Sequence, residues 1–505
     1  MAKKIVLDIP LNRVEGDLDI RVSIEDGVIV DAKSIGTLYR GFENILKGRA
    51  ALDSLVITPR ICGICSVTHL CAAVDALENA NAITPPAQAV RLRNLSLLSE
   101  TLQSDMRQFF LMFMGDFAND FYKESSFYEE AKEFYGAFKG ESSKAALKKT
   151  TEILKVVAII GGQWPHTSHI VPGGISTIPS LLELNVAQSH IENFTRWYEE
   201  SVLGMPLEEF YENIQTAESF FEHLEKNPEN DLARFTRYSK EGGLFETGFA
   251  TNNFLSYGTM NDPLHPKETL IKRGVIVEGK AEELALEKIY EDISHSWYKQ
   301  VNVTQNPFEG VTEPDMSTKD GYTWAKAPRY EKQVMQTGPL AQALVNENAL
   351  ISSLYKRYGD ATYVRELARA LRPVEHLRYA KEFIEGALKN YGDTNYNEVA
   401  ANFSGEGVGL VEAARGALGH WIKVKDGEIE NYQIITPTAW NGSPRDSDGN
   451  LGAWEKSLIG LKVKNPDNPM EMGHVIRSFD PCLVCTVHTI DLGSKTEKYK
   501  FRIGL

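Results

Sequence analysis

Apolar residues alternate near the start of the chain: Leu18, Ile20, Val22 and Ile24, then Asp26-Gly27, then Val28, Val30 and Ala32. A period of two on both sides of an Asp-Gly pair predicts a β-hairpin. With the strand-like Ile5-Val6-Leu7 before it, a small sheet opens the protein. From Ser66 the period lengthens. Leu70, Ala73, Val74 and Leu77 share a helical face, and after Pro85-Pro86 the series Leu92, Leu95, Leu98, Leu102, Met106, Phe109 and Phe113 predicts a long buried helix. Further helices are expected near 127–160, 185–225, 279–300 and 360–390. A second hairpin follows from Trp421, Ile422 and Val424, then Asp426-Gly427, then Ile429 and Tyr432, and an irregular segment rich in Pro, Asn and Gly comes after it. The predicted class is α+β: a mainly helical core with small N-terminal and C-terminal β-sheet lobes. No internal repeat or low-complexity linker divides the chain.

Composition adds exclusions. The 505 residues, 42% hydrophobic and 24% charged, suit a globular protein with a large core. A formal charge of −15 with no basic tract argues against a nucleic-acid partner. The longest apolar runs, around Phe109 to Met114 and Val156 to Ile160, fall far short of the roughly 20 residues that span a bilayer. Membrane contact is expected only through a partner. Met1-Ala2-Lys3-Lys4 leads into a short strand without the apolar stretch of a secretory signal.

The candidate chemistry lies in cysteine. Two Cys-x-x-Cys pairs, Cys62/Cys65 and Cys482/Cys485, account for four of the five cysteines. Disulfides are not expected from so sparse a set, and Cys71 reads as a buried helix residue. Four thiolates from opposite ends of the chain point to one metal site for a soft or borderline ion. A site built from both termini also predicts a single intertwined domain over 1–505 with the metal at its centre. By spacing alone, structural zinc is a sufficient reading. The neighbouring ionisable groups Arg60, His69, Asp480 and His488 suggest more, because a closed structural site has little use for them.

These residues resemble the two signatures of the nickel-iron hydrogenase large subunit: Arg-x-Cys-Gly-x-Cys-x-x-x-His from Arg60 to His69, and Asp-Pro-Cys-x-x-Cys-x-x-His from Asp480 to His488. Asn12-Arg13-Val14-Glu15-Gly16, Arg40-Gly41-Phe42-Glu43, the segment Glu412 to His420 that bears Arg415, and Pro437-Thr438-Ala439-Trp440-Asn441 resemble further elements of that family in the same order. Two departures stand out. Ala414 precedes Arg415 where the family usually has Pro, and Ser104-Asp105 stands where many members carry Ser-His.

The resemblance implies nickel held by four thiolates, with Cys62 and Cys482 terminal and Cys65 and Cys485 bridging to an iron that carries carbon monoxide and two cyanides. It implies heterolytic splitting of hydrogen, with Cys482 the first proton acceptor and Glu15 the relay. Arg415 would lie over the open metal position and donate to one cyanide, with Thr438 and Pro437 serving the other. His69 would donate to a bridging sulfur, Cys485. Glu43, His488 and the backbone carbonyl of Ile434 would form a separate magnesium or iron site.

Cys71 alone cannot ligate a cluster, so the electrons require an iron-sulfur small subunit as partner. Residues 489–505 resemble the family's cleavable extension, which implies a maturation protease and nickel-insertion factors. The short chain, Asp105 and Met114-Gly115-Asp116-Phe117 resemble the cytoplasmic uptake and hydrogen-sensing branches. The sensors typically lack the extension, so uptake is favoured, in a higher-order oligomer of heterodimers. A hydrogen sensor, a structural four-cysteine zinc protein and a quinone-linked relative that has lost its metals are the alternatives. The presence of all four cysteines disfavours the last.

Overall fold

The computed structural model describes residues 4–10, 13–14, 18–400 and 402–482. The opening sheet forms as its alternation requires. Strands Lys4–Pro10, Leu18–Glu25 and Val28–Gly36 pair antiparallel in chain order, with Leu18, Ile20, Val22 and Ile24 buried. Asp26 and Gly27 have φ of 48° and 80°, the left-handed pair that lets a two-residue turn follow the twist of its strands.

Helices fill the middle. The helix Ser66–Ala80 follows the first cysteine pair, and the predicted long helix runs Ala87–Arg107 before one π-helical turn, Gln108–Phe113. The same apolar stripe continues through that turn, with Phe109, Phe110 and Phe113 all buried. Helices Glu141–Gly161 and Thr362–Lys389 pack against Ala87–Arg107 or its neighbours, and 185–225 divides among Leu181–Trp197, Leu207–Asn213 and Ala217–Lys226. No described helix is long and apolar enough to cross a membrane.

The helix expected at 279–300 is not there. Lys280–Glu282 and Ile289–Asp292 are strands, and the second pairs antiparallel with Ala327–Tyr330. A partner strand nearly forty residues downstream takes the backbone hydrogen bonds of Ile289–Asp292. Local periodicity cannot report such a partner.

The C-terminal sheet has three strands: the expected hairpin Gly416–Lys425 and Glu428–Ile435, and an unforeseen first strand, Gly405–Ala413. Gly405, Gly407 and Gly409 on that strand meet Ala80, Ala76 and Ala72 on the helix Ser66–Ala80. Alternate strand positions thus face successive helical turns. A Cβ built on Gly409 would stand 1.8 Å from the Ala72 carbonyl oxygen, so strand and helix touch through backbone. Gly409→Ala is therefore expected to destabilise the protein by about 3 kcal/mol through overpacking. Thermal melting of the variant checks this, and an unchanged midpoint would show that the seam can open at little expense.

Candidate metal centre

The first cysteine pair occupies the loop between the short turn Thr58–Arg60 and the helix Ser66–Ala80, with Cys65 at the residue that caps this helix. Glu100, from the long helix, fixes that start. Its buried carboxylate accepts from the backbone N–H of Val67 at 2.9 Å and of Thr68 at 3.0 Å, and from the hydroxyl of Thr68 and the indole of Trp164.

Cys482 arrives from the other end. The helix Met470–Arg477 turns at Ser478, and Asp480, with φ of 53°, leads through Pro481 into the cysteine. The sulfurs of Cys62 and Cys482 lie 3.7 Å apart although 420 positions separate them, and both are buried. Cys65 is buried in the same cluster, among Ile61, Val67, Leu70 and Leu418. No S–S bond joins them. Among the described residues, no three His, Cys, Asp or Glu side chains yet close a metal site. Cys485, His488 and Glu15 lie outside the described residues. Arg13, two positions before Glu15, pairs with Asp116, which also binds Arg477 at 2.7 Å. The N-terminal element is thereby tied to the helix that leads to Cys482.

A buried charge network covers the cysteines. Arg415 sits in the two-residue turn between Gly405–Ala413 and Gly416–Lys425, its Nε 3.3 Å from Asp480. Arg369, on Thr362–Lys389, is 3.2 Å from both Asp480 and Asp105. Arg372 grips Asp105 through Nε at 2.8 Å and donates to the Ala414 carbonyl at 2.7 Å. The two departures from the family pattern thus meet: Asp105 has two arginine partners, and the Ala414 carbonyl accepts from both of them. Burial opposes the Arg415 charge, but Asp480 and the sulfurs of Cys482, Cys65 and Cys62 outweigh it and hold the guanidinium's pKa above its ordinary value. Arg415 Nε and Nη1 are both buried with no hydrogen-bond partner. Thr438 Oγ1 accepts from the Cys482 N–H at 3.1 Å, which leaves the hydroxyl proton for another acceptor. Pro437 begins the short helix that carries Thr438. An unpartnered guanidinium nitrogen and a hydroxyl donor beside soft thiolates fit a metal pair with anionic ligands.

His69 stands one turn beyond Cys65, its N–H bonded to the Cys65 carbonyl, and burial lowers its pKa to about 4. Its Nδ1 is 3.2 Å from Nε2 of His420.

Glu43 and Ile434 also meet. The Ile434 N–H donates to Glu43 at 3.0 Å, and on a strand the carbonyl of the same residue points to the same edge. Beside them is a cavity of about 30 Å³, lined also by Glu291, Thr312 and Lys326 and large enough for one ion or water. Lys326 lies 3.3 Å from Glu43, 3.0 Å from Glu291 and 2.7 Å from Gln433. Oxygen donors around so small a space suit a hard cation.

Glu100, Arg369, Arg372, Glu291, Lys326 and Gln433 carry no motif in the sequence. Their only signal was a cluster of arginines in the predicted 360–390 helix, and nothing in that spacing names their partners.

Comparison with known proteins agrees with this geometry. Residues 40–126 and 113–488 match the family described as nickel-dependent hydrogenase. The chain is 32% identical to the periplasmic [NiFeSe] hydrogenase large subunit of Desulfomicrobium baculatum, over 96% of this chain and 95% of that one. It is 31% identical to the uptake hydrogenase large subunit of Bradyrhizobium diazoefficiens, over 99% and 98%. Among solved structures, the reduced Ni-Fe-Se hydrogenase of D. vulgaris Hildenborough superposes with a TM-score of 0.81 at 30% identity, covering 97% of this chain and 100% of that one. With both cysteine pairs inside the matched region and two of their sulfurs already in contact, the chain belongs to the nickel-dependent hydrogenase family and is an oxidoreductase that cleaves hydrogen.

Proposed function

We propose that the chain is the large subunit of an uptake hydrogenase, with nickel held by Cys62, Cys65, Cys482 and Cys485 and an iron sharing Cys65 and Cys485. The approach of Cys62 and Cys482 beneath Arg415 is the observation that carries this reading. When bound, the nickel and iron supply heterolytic cleavage of hydrogen, which overall yields two protons and two electrons. The residues then have separable tasks. The apolar surroundings of Cys62, Cys65 and Cys482 exclude water. Arg415 and Thr438, the latter set by Pro437, present donors to the two cyanides of an iron that also carries carbon monoxide. Cys482 accepts a proton and Glu15 passes it on. Glu43, His488 and the Ile434 carbonyl hold magnesium or iron, with Lys326 and Glu291 shaping the space around it.

Electrons leave through an iron-sulfur small subunit, a partner that fits the large-subunit names of the relatives. We read residues 1–505 as one intertwined domain, with 489–505 removed by a maturation protease after nickel-insertion factors have acted. That reading, a cytoplasmic working place and an oligomer of heterodimers all rest on the sequence resemblance, while one relative is named as periplasmic.

Co-expression with the small subunit, metal analysis and infrared spectroscopy test the centre. Nickel and iron near one each per chain, with bands from carbon monoxide and cyanide, are expected; zinc without nickel would sink the proposal. Glu15→Gln is expected to lower hydrogen turnover roughly 100-fold or more, the scale of a lost proton-transfer group, while both metals stay bound. Turnover at the wild-type rate would remove Glu15 from the relay.

A further inference from the structure

One buried carboxylate joins the two ends of the chain. Asp116 lies in the turn Met114–Ala118 that follows the π-helical turn Gln108–Phe113, and none of its side chain is exposed. Each oxygen takes a different arginine: Oδ1 accepts from Arg13, near the N-terminus, and Oδ2 accepts from Nη1 of Arg477 at 2.7 Å. Burial opposes the Asp116 charge, but Arg13 and Arg477 outweigh it and hold the carboxyl below the usual range.

The C-terminal side of this bridge is held firmly. The rings of Phe113 and Phe117 flank that of His474, with centroids 5.0 and 4.8 Å away, and Gln108 donates to the Arg477 carbonyl. The helix Met470–Arg477, which leads to Cys482, is thus fixed at its last residue through backbone and side chain together. Arg13 is held differently. Its φ of 54° lies in the left-handed region that few residues besides glycine, asparagine and aspartate adopt, and the pairing with Asp116 stands against that strain. A Cβ built on Gly115 would stand 3.0 Å from Arg13 Nη1, so the glycine beside Asp116 leaves room for the guanidinium.

Two residues of chain span at most about 7 Å. A clamp on Arg13 therefore limits where a side chain two positions later can reach, and a clamp on Arg477 does the same, more loosely, for Cys482. A proton passes between groups only across a hydrogen bond of about 2.6–3.2 Å or through one water, so the placement of donor against acceptor governs its rate. Asp116, already saturated by two cations, is a poor proton carrier, and its part is geometric.

We propose that Asp116, with Arg13 and Arg477, is a positioning device that sets the relay Glu15 at its working distance from Cys482, giving the N-terminal element and the C-terminal cysteine one reference point in the fold. This rests on the relay reading above.

The test uses the mature heterodimer with Arg13→Met, Asp116→Asn and Glu15→Gln, and with each of the first two combined with the third. Arg13→Met keeps an apolar stem and leaves the pair of Asp116 with Arg477 in place. Each clamp variant is expected to lose roughly 10- to 100-fold in hydrogen turnover, the scale of a displacement of about 1 Å at a reacting group, with a larger solvent deuterium isotope effect. Nickel content and the infrared bands of the iron ligands are expected to stay unchanged. Added to Glu15→Gln, neither is expected to lower turnover more than about twofold further, because the route it aligns is already broken. Wild-type turnover in Arg13→Met would overturn the proposal, as would losses that come with missing nickel or shifted bands. Should Asp116→Asn fail to assemble, Arg13→Met decides alone, since its side chain is 25% exposed and the buried pair survives. Wild-type turnover in Glu15→Gln would remove the relay and the proposal with it, whereas a slow Glu15→Gln with losses that multiply would remove the clamp and leave the relay standing.

Discussion

Cys482→Ser is expected to leave the protein folded, without nickel and without hydrogen turnover. The serine hydroxyl occupies nearly the same volume, so the Thr438 contact to the backbone N–H and the Asp480 pairs can survive. Its oxygen, however, is a hard donor that stays protonated near neutral pH, whereas a thiolate is soft and ionises readily on metal binding. Loss of an outer hydrogen-bond partner of a metal ligand typically lowers affinity by 10- to 100-fold; loss of the ligand itself is expected to exceed about 100-fold. Metal analysis of the co-expressed heterodimer, beside a circular dichroism spectrum to establish the fold, checks this. Nickel at wild-type content would exclude Cys482 as a ligand.

Arg415→Lys is expected to retain both metals and lose roughly 10- to 100-fold in hydrogen turnover, the range seen when the support of a metal ligand is removed. Charge is preserved in the exchange, but geometry is not. Arg415 forms an ion pair with Asp480 at 3.3 Å, while its Nε and Nη1 are both buried without a hydrogen-bond partner, so the planar fork still has donors to present. An ammonium is a single compact point of charge, and Asp480 beside it would draw it away from the metal position. Infrared spectra should show displaced cyanide bands with nickel content unchanged. A variant with wild-type turnover and bands would reduce Arg415 to a structural partner of Asp480.

Local chemistry made part of this protein legible. Asp26-Gly27 and Asp426-Gly427 announced their hairpins because only a few residues tolerate left-handed turn positions, and both pairs adopt them. The two cysteine pairs announced a shared site because thiolates at that spacing have few other uses, and Cys62 and Cys482 do meet. What escaped was decided at long range. The strand Gly405–Ala413 was hidden because glycine weakens an isolated strand. Its three glycines make sense only once the helix Ser66–Ala80 is laid against them. Arg369 and Arg372 belong to a helix whose spacing names no partners, and Asp105 and Asp480 supply them from distant segments. The strand Ile289–Asp292 failed for the same reason, since its partner was out of view of any window centred on it.

The backbone seam between the helix Ser66–Ala80 and the strand Gly405–Ala413 bears on how quickly the protein matures. Asn79 donates to the carbonyl of Val408 across 329 positions, so the intervening chain must be largely ordered before the seam can zip. Contacts this remote slow folding. Until they form, the first cysteine pair faces solvent as an ordinary chelator, open to whatever ion is abundant. On the proposed metal reading, slowing the closure should raise the fraction of chains loaded with the wrong ion, which metal analysis of Gly409→Ala would show.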